Sequence, residues 1–260
     1  MALIEDRVPS SPSPSSDDLA KMTLVEHLSE LRNRLIVSVI AVVATTTVAW
    51  FLYPHLLAFM IRPYHQYFQH HLAKDISKGQ LVTSSPLEGF TTRLKISGYG
   101  GIALSSPVLL WELWRFITPG LHKNEKRYVV PFVSAAIVLF AGGVATAIFV
   151  FPKALDWLIN VSGPGVVPLF SPQKYLTLYV LMCLIFGAVF MYPLIVIFLE
   201  LSGVVPSARW RKWRRPAIVI IAVVAAVITP SSDPFSFMAM AIPMLIFYEG
   251  AILVGRILGK

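Results

Sequence analysis

Ionisable and aromatic residues in apolar surroundings mark where this chain could do chemistry. Glu249 follows Phe247, Tyr248 and an apolar run over 242–246. Its carboxylate must reach water, find a donor or take up a proton. An intrahelical structural partner and a functional contact both meet that demand. Glu112 stands between Trp111 and Trp114, with Arg115 three residues on along the same helical face. Near a span end, both side chains are expected to snorkel to water. Asp156 beside Trp157 reads in the same way, as an outer interfacial residue. Tyr64, His65, Tyr67, His70 and His71 gather ligand-type side chains, but no carboxylate joins them at metal-site spacing. Enrichment of such residues at a membrane–water boundary is the simpler account. Cys183, the only cysteine, lies in the apolar run 178–187 and reads as a packing residue. No nucleophile–base pair, phosphate-cradling glycine loop or paired-carboxylate site can be drawn. The chain is therefore expected to be no enzyme and to need no cofactor or metal.

The elements that must position these residues are long apolar helices. Hydrophobic residues make up 56% of the chain and charged residues only 14%, against about 25% charged in an ordinary soluble domain. Six apolar segments can be marked: 35–53, 96–117, 128–151, 175–199, 216–229 and 235–254. A helix needs about 20 residues to cross the hydrocarbon layer. The first four segments reach that length, and the fifth is short. Two crossing helices joined at 230–234 are favoured for the last pair, over a re-entrant pair or a buried interior helix. Backbone polar groups in lipid must pair internally, which requires helices here and disfavours a β-barrel. The fold expected is all-α and polytopic, with six transmembrane helices.

Orientation follows from charge. The net charge is +8, and with both termini inside, fifteen of the 22 Lys and Arg fall on the inner side. They are densest at Arg209, Arg211, Lys212, Arg214 and Arg215. Basic residues clustered between apolar spans set membrane orientation and do not form a nucleic-acid face. Both termini are thus expected in the cytoplasm, in a multi-pass protein of the inner membrane. The expected organisation is a flexible tail over 1–21, one membrane domain over 22–256 and a short tail over 257–260. Leu24, Leu28, Leu31 and Leu35 form one apolar stripe, and Thr23 with Glu26 offers a capping box. This predicts an interfacial helix leading into the first span. Residues 54–95 suit helices lying over the outer mouth. Gly98, Gly100, Gly101, Gly142 and Gly143 sit in apolar helices, where close helix packing is the ordinary reason for glycine. Nothing repeats convincingly between the halves, which weakens an inverted-repeat transporter. A protein-translocation receptor, a small-solute or ion-coupled transporter and a membrane scaffold all remain open on these grounds.

Several motifs in order narrow that choice. Residues 23–34, 90–97, the run Ser-Pro-Val-Leu-Leu-Trp-Glu-Leu-Trp-Arg-Phe-Ile-Thr-Pro-Gly-Leu over 106–121, and Asn124-Glu125-Lys126-Arg127 resemble the TatC family. So do Thr-Pro-Ser-Ser-Asp-Pro-Phe over 229–235 and Ala-Ile-Pro-Met over 241–244. That family is the multispanning receptor subunit of the twin-arginine protein translocase. The resemblance implies a curved cup- or glove-like bundle that recognises twin-arginine signal peptides of folded cargo, with transport driven by the protonmotive force. It implies small single-span TatA- and TatB-type partners and allows a homo-oligomer in the translocase.

Residue by residue, Glu30 and Arg32 match the family's Glu-Leu-Arg motif, and Glu125 matches its signal-recognition glutamate. Phe116 and Pro119 match positions linked to the first cytoplasmic loop, so Glu125, Glu30, Arg32 and Phe116 are expected to bind the signal. Pro63, Pro119, Asp233 and Pro243 match structural or partner-contact positions, and Glu249 joins them from its intramembrane setting. Relatives often carry Glu or Gln in span four where this chain has Met191, which is expected to pack against a partner helix. The ligand chemistry agrees with the resemblance, because carboxylates take guanidinium groups through paired, charge-assisted hydrogen bonds. Lys123, Lys126 and Arg127 around Glu125 repel a cationic guest, so a second carboxylate such as Glu30 improves the balance.

Overall fold

The computed structural model describes residues 16–71, 81, 83, 85–117, 129–163, 170–201 and 207–257. Among these every regular element is helical: α1 (Ser16–His71), α2 (Pro86–Ile117), α3 (Val129–Asn160), α4 (Pro172–Phe190), α5 (Tyr192–Leu201), α6 (Ser207–Lys212), α7 (Arg214–Ile228) and α8 (Pro234–Ile257). Four stretches are long and apolar enough to cross a membrane: 28–67, 130–160, 172–200 and 234–254. The chain is an all-α polytopic membrane protein.

Three boundaries differ from the sequence expectation, each for a local reason. The first span, the stretch before it and the first part of the outer loop form one helix, α1, which continues through Pro54 and Pro63 to His71. A proline inside a helix removes one N–H and so frees the carbonyl four residues earlier. For Pro54 that carbonyl is Trp50 O, and Arg93 Nη2 of α2 donates to it at 3.0 Å. The Arg93 guanidinium also lies over the Trp50 ring at 4.4 Å and the Tyr53 ring at 5.4 Å. The second difference is that α2 begins ten residues before the apolar run, at Pro86. Pro is favoured in the first turn, and the Leu87 N–H bonds Ser85 Oγ at 3.4 Å. The third is that span four divides at Met191. Its N–H bonds Ala188 O at 3.2 Å in a tightened turn, and Pro193 follows two residues later.

Helix pairing positions everything else. α1 packs chiefly on α2 and α3 on α4, each an antiparallel pair, and α5 packs on α8. Two of the five glycines singled out in the sequence, Gly101 and Gly143, are required for this. A Cβ at Gly101 would stand 2.6 Å from Thr46 Cα, and one at Gly143 would stand 2.7 Å from the Phe186 carbonyl carbon. At those crossings backbone meets backbone, and Thr45 Oγ1 adds a 2.8 Å bond to Gly101 O. Gly98 and Gly142 have nothing within 4 Å of such a Cβ and are not part of a close crossing.

The core is aromatic near the outer loop. Tyr64, Phe151, Tyr175 and Tyr179 pack edge to face at centroid distances of 5.4, 5.5 and 4.4 Å along the chain of rings. Tyr175 also donates to Met60 O at 2.9 Å. The α7–α8 joint is a tight turn: Ser232 takes a left-handed φ of 50°, and Asp233 caps α8 by accepting the Ser236 N–H at 2.8 Å.

Candidate functional site

The chemistry-bearing side chains at the Leu28 end of α1 meet the Ile117 end of α2. α1 carries Glu30 and Arg34 one helical turn apart, which places them on one face. The antiparallel register set at Gly101 brings Glu112 of α2 to the same level. Arg34 Nε donates to Glu30 Oε1 at 3.1 Å, and Nη2 donates to the same oxygen. Its Nη1 donates to Glu112 Oε2 at 3.2 Å. One guanidinium therefore joins two helices through two carboxylates. The side chains of Arg34 and Glu112 retain only 15% and 14% of their exposure, so water screens this contact less than an open surface pair. The cluster sets the carboxylates of Glu30 and Glu112 on two sides of the Arg34 guanidinium.

Glu112 therefore corrects the sequence expectation. It does not snorkel beside Arg115 but turns inward to the neighbouring helix. The signal for this was available: two consecutive spans run antiparallel, so charges near the start of one and the end of the next share a depth.

The other expected site residues fall in different places. Arg32 is exposed on α1, and Phe116 is half-buried one turn beyond Glu112. Trp114, between them, packs against Phe132 at 4.9 Å and Phe198 at 5.4 Å. Glu125 and Pro119 lie outside the described residues. The Thr23–Glu26 pair does not start a helix as expected, because α1 already begins at Ser16 and runs through both positions. Pro63 is half-buried within α1, beside the core residue Tyr64. Met191 is half-buried against Leu110, Ala136 and Leu194 of this same chain. Asp233 is 1% exposed and accepts from Ser231 Oγ as well as from the α8 backbone. Pro243 is half-buried inside α8.

Glu249 finds the donor that its apolar surroundings demand. Arg214 Nη2 of α7 reaches Glu249 Oε2 at 2.6 Å, across helices and about half exposed. Tyr248 beside it donates to Trp210 O at 2.7 Å, tying α8 to α6.

Two residues carry more than the sequence assigned them. Arg93 was counted only as an outer basic residue, although Pro54 predicts an orphan carbonyl that some donor must satisfy. Glu200, near the end of α5, is 1% exposed, and neither of its carboxylate oxygens has a hydrogen-bond partner among the described residues. Of the Tyr/His patch, Tyr64 is in the core with its ring 6.2 Å from that of His65, and Tyr67 donates to Asn160 Oδ1 at 3.4 Å. No group of three His, Cys, Asp or Glu among the described residues is placed to hold a metal.

Comparison with known proteins follows the same residues. The family model described as "TatC: Sec-independent protein translocase protein (TatC)" matches residues 26–243. The chain is 38% identical over 237 residues to the Sec-independent protein translocase protein TatC of Koribacter versatilis, covering 90% of this chain and 85% of that one. It is 39% identical over 243 residues to the protein of the same name from Frankia casuarinae, of which it spans 66%, just under two thirds. A crystal structure described as the twin arginine translocase receptor TatC in DDM superposes with a TM-score of 0.73 at 32% identity. It covers 88% of this chain and 99% of that one. A second crystal structure of the same receptor gives 0.72 at 31% identity, over 90% and 100%.

Proposed function

The chain belongs to the TatC family of Sec-independent protein translocase proteins, and from that premise we propose that it recognises twin-arginine signal peptides. It then nucleates a translocase that moves folded proteins across the inner membrane using the protonmotive force. Its work is binding and assembly, not catalysis. The observation that carries this reading is the likeness, at 32% identity over 88% of the chain, to a solved twin arginine translocase receptor. The carboxylates of Glu30 and Glu112 support it, because a guanidinium guest is bound by carboxylates through charge-assisted hydrogen bonds.

In this reading Glu125 and Glu30 hold the arginine pair, with Arg32 and Phe116 at the same entrance. Pro63, Pro119, Met191, Asp233, Pro243 and Glu249 shape the bundle or its partner contacts. The membrane domain over 22–256 has six crossing helices arranged as a cup, both termini are cytoplasmic, and 1–21 and 257–260 are tails. α2 supplies the second crossing, and α7, although short, supplies the fifth where the bilayer thins. The partners are small single-span TatA- and TatB-type subunits and, within the translocase, further copies of this chain.

Site-specific photocrosslinking from Phe116 and Glu125, with a folded twin-arginine cargo presented, tests the assignment. Crosslinks to the signal peptide are expected from both positions. Crosslinks to neither, from a protein that still inserts and assembles, would reject it.

A further inference from the structure

We propose that Arg34 is an internal competitor for the signal's arginine: clamped by Glu112, it occupies Glu30 until a signal peptide displaces it. This rests on the receptor reading above and adds to it a residue that sets the affinity threshold of the site. Three observations carry the inference. Arg34 binds Glu30 through Nε and Nη2, the side of the fork that an incoming arginine would present to the same carboxylate. The remaining nitrogen, Nη1, is held from the other helix by Glu112, so the guanidinium is fixed on both sides. The Arg34 side chain keeps only 15% of its exposure, so the pairing is not a freely solvated surface contact.

The consequence is an affinity threshold. A guest must displace a tethered guanidinium, and its apparent affinity falls by the fraction of protein in which Glu30 is already taken. A lysine guest brings a compact, strongly hydrated charge without the planar fork and competes poorly against an arginine already in place. The internal competitor therefore lowers the apparent affinity of both guests by the same factor, and the preference for arginine stays with the chemistry of the guest's fork. It need not act through net charge, which separates it from simple electrostatic repulsion.

The test measures binding of twin-arginine and twin-lysine peptides to full-length wild type, Arg34→Lys, Arg34→Gln and Glu112→Gln in one detergent at one salt concentration. Arg34→Lys keeps the charge but removes the fork, and it should tighten twin-arginine binding about twofold to threefold; Arg34→Gln should tighten it about fivefold. Glu112→Gln loosens the clamp and should tighten binding about twofold, although it removes a negative charge that would otherwise favour the guest. Both Arg34 variants should tighten the twin-lysine peptide by the same factor as the twin-arginine peptide, leaving the preference for arginine unchanged. Arg34→Lys binding no more tightly than wild type overturns the inference, as does Glu112→Gln binding more weakly while Arg34→Gln binds more tightly, since local charge then explains both. If wild type prefers twin-arginine and the variants behave as wild type, only the competitor role fails. If wild type binds neither peptide, the receptor reading fails with it.

Discussion

At the scale of single residues, charge in this protein is placed by what the backbone and its neighbours leave unsatisfied. Glu125 is proposed to meet the signal's arginines. Glu125→Gln should weaken twin-arginine binding while the helical content stays, and Glu125→Arg should weaken it further. The comparison belongs at one salt concentration, because exposed charge contacts are screened. Equal affinities for wild type and both variants would remove Glu125 from the site. Arg93 answers a different need, the Trp50 carbonyl released by Pro54. Arg93→Ala should destabilise the protein by about 1–3 kcal/mol, the cost of leaving a buried acceptor unpaired. In a Pro54→Ala background the helix regains its own donor, so the same substitution should cost less. A thermal double-mutant cycle in detergent reads this coupling directly. Additive costs would show that Arg93 does not serve that carbonyl. Glu200 is the opposite case: a buried carboxylate whose oxygens find no hydrogen-bond donor among the described residues.

At the scale of elements, the helices are fixed against each other at two glycine crossings. Gly143 faces the backbone of Phe186 and Gly187, where neither side can yield as a flexible side chain would. Gly143→Val should therefore separate α3 from α4 and cost about 1–3 kcal/mol or more through overpacking. Gly142 is adjacent in sequence but faces open space. Gly142→Ala should be neutral or stabilising by up to about 1 kcal/mol from helix propensity. Melting temperatures of the two variants in one detergent make the comparison. Similar losses from both would mean that the α3–α4 crossing does not depend on close backbone approach. The α7–α8 joint is set by hydrogen bonding: Asp233 caps α8 at the Ser236 N–H, which explains a buried acid at a turn without assigning it to cargo.

At the scale of the whole molecule, the proposed topology puts both termini and the basic 209–215 stretch on one side, with the 229–234 turn on the other. Single cysteines introduced at Ser10, Ser232 and Gly259, in a Cys183→Ser background, test it with a membrane-impermeant thiol reagent. Ser10 and Gly259 positions should label only from the cytoplasmic face, and the Ser232 position only from the opposite face. Labelling of Ser232 from the cytoplasmic face would make α7 and α8 a re-entrant pair and reduce the number of crossings. The asymmetry of Lys and Arg supports the first outcome, and the 15-residue length of α7 leaves the second worth testing.

Much of this was legible in the residues. The apolar runs require helices because lipid offers no partner to backbone polar groups, and that requirement is local to each run. The ordered motifs identified the family, and the apolar neighbours of Glu249 required its carboxylate to reach water, find a donor or take up a proton. Tertiary structure alone decided which donor that was, Arg214, because the two residues lie on helices whose register no local pattern encodes. For the same reason it turned Glu112 from a snorkelling surface acid into a clamp on Arg34. It also separated Gly101 and Gly143, which touch a neighbouring backbone, from Gly98 and Gly142, which do not. A sequence states what each side chain needs. Which neighbour meets the need depends on how the helices pair and at what depth they cross.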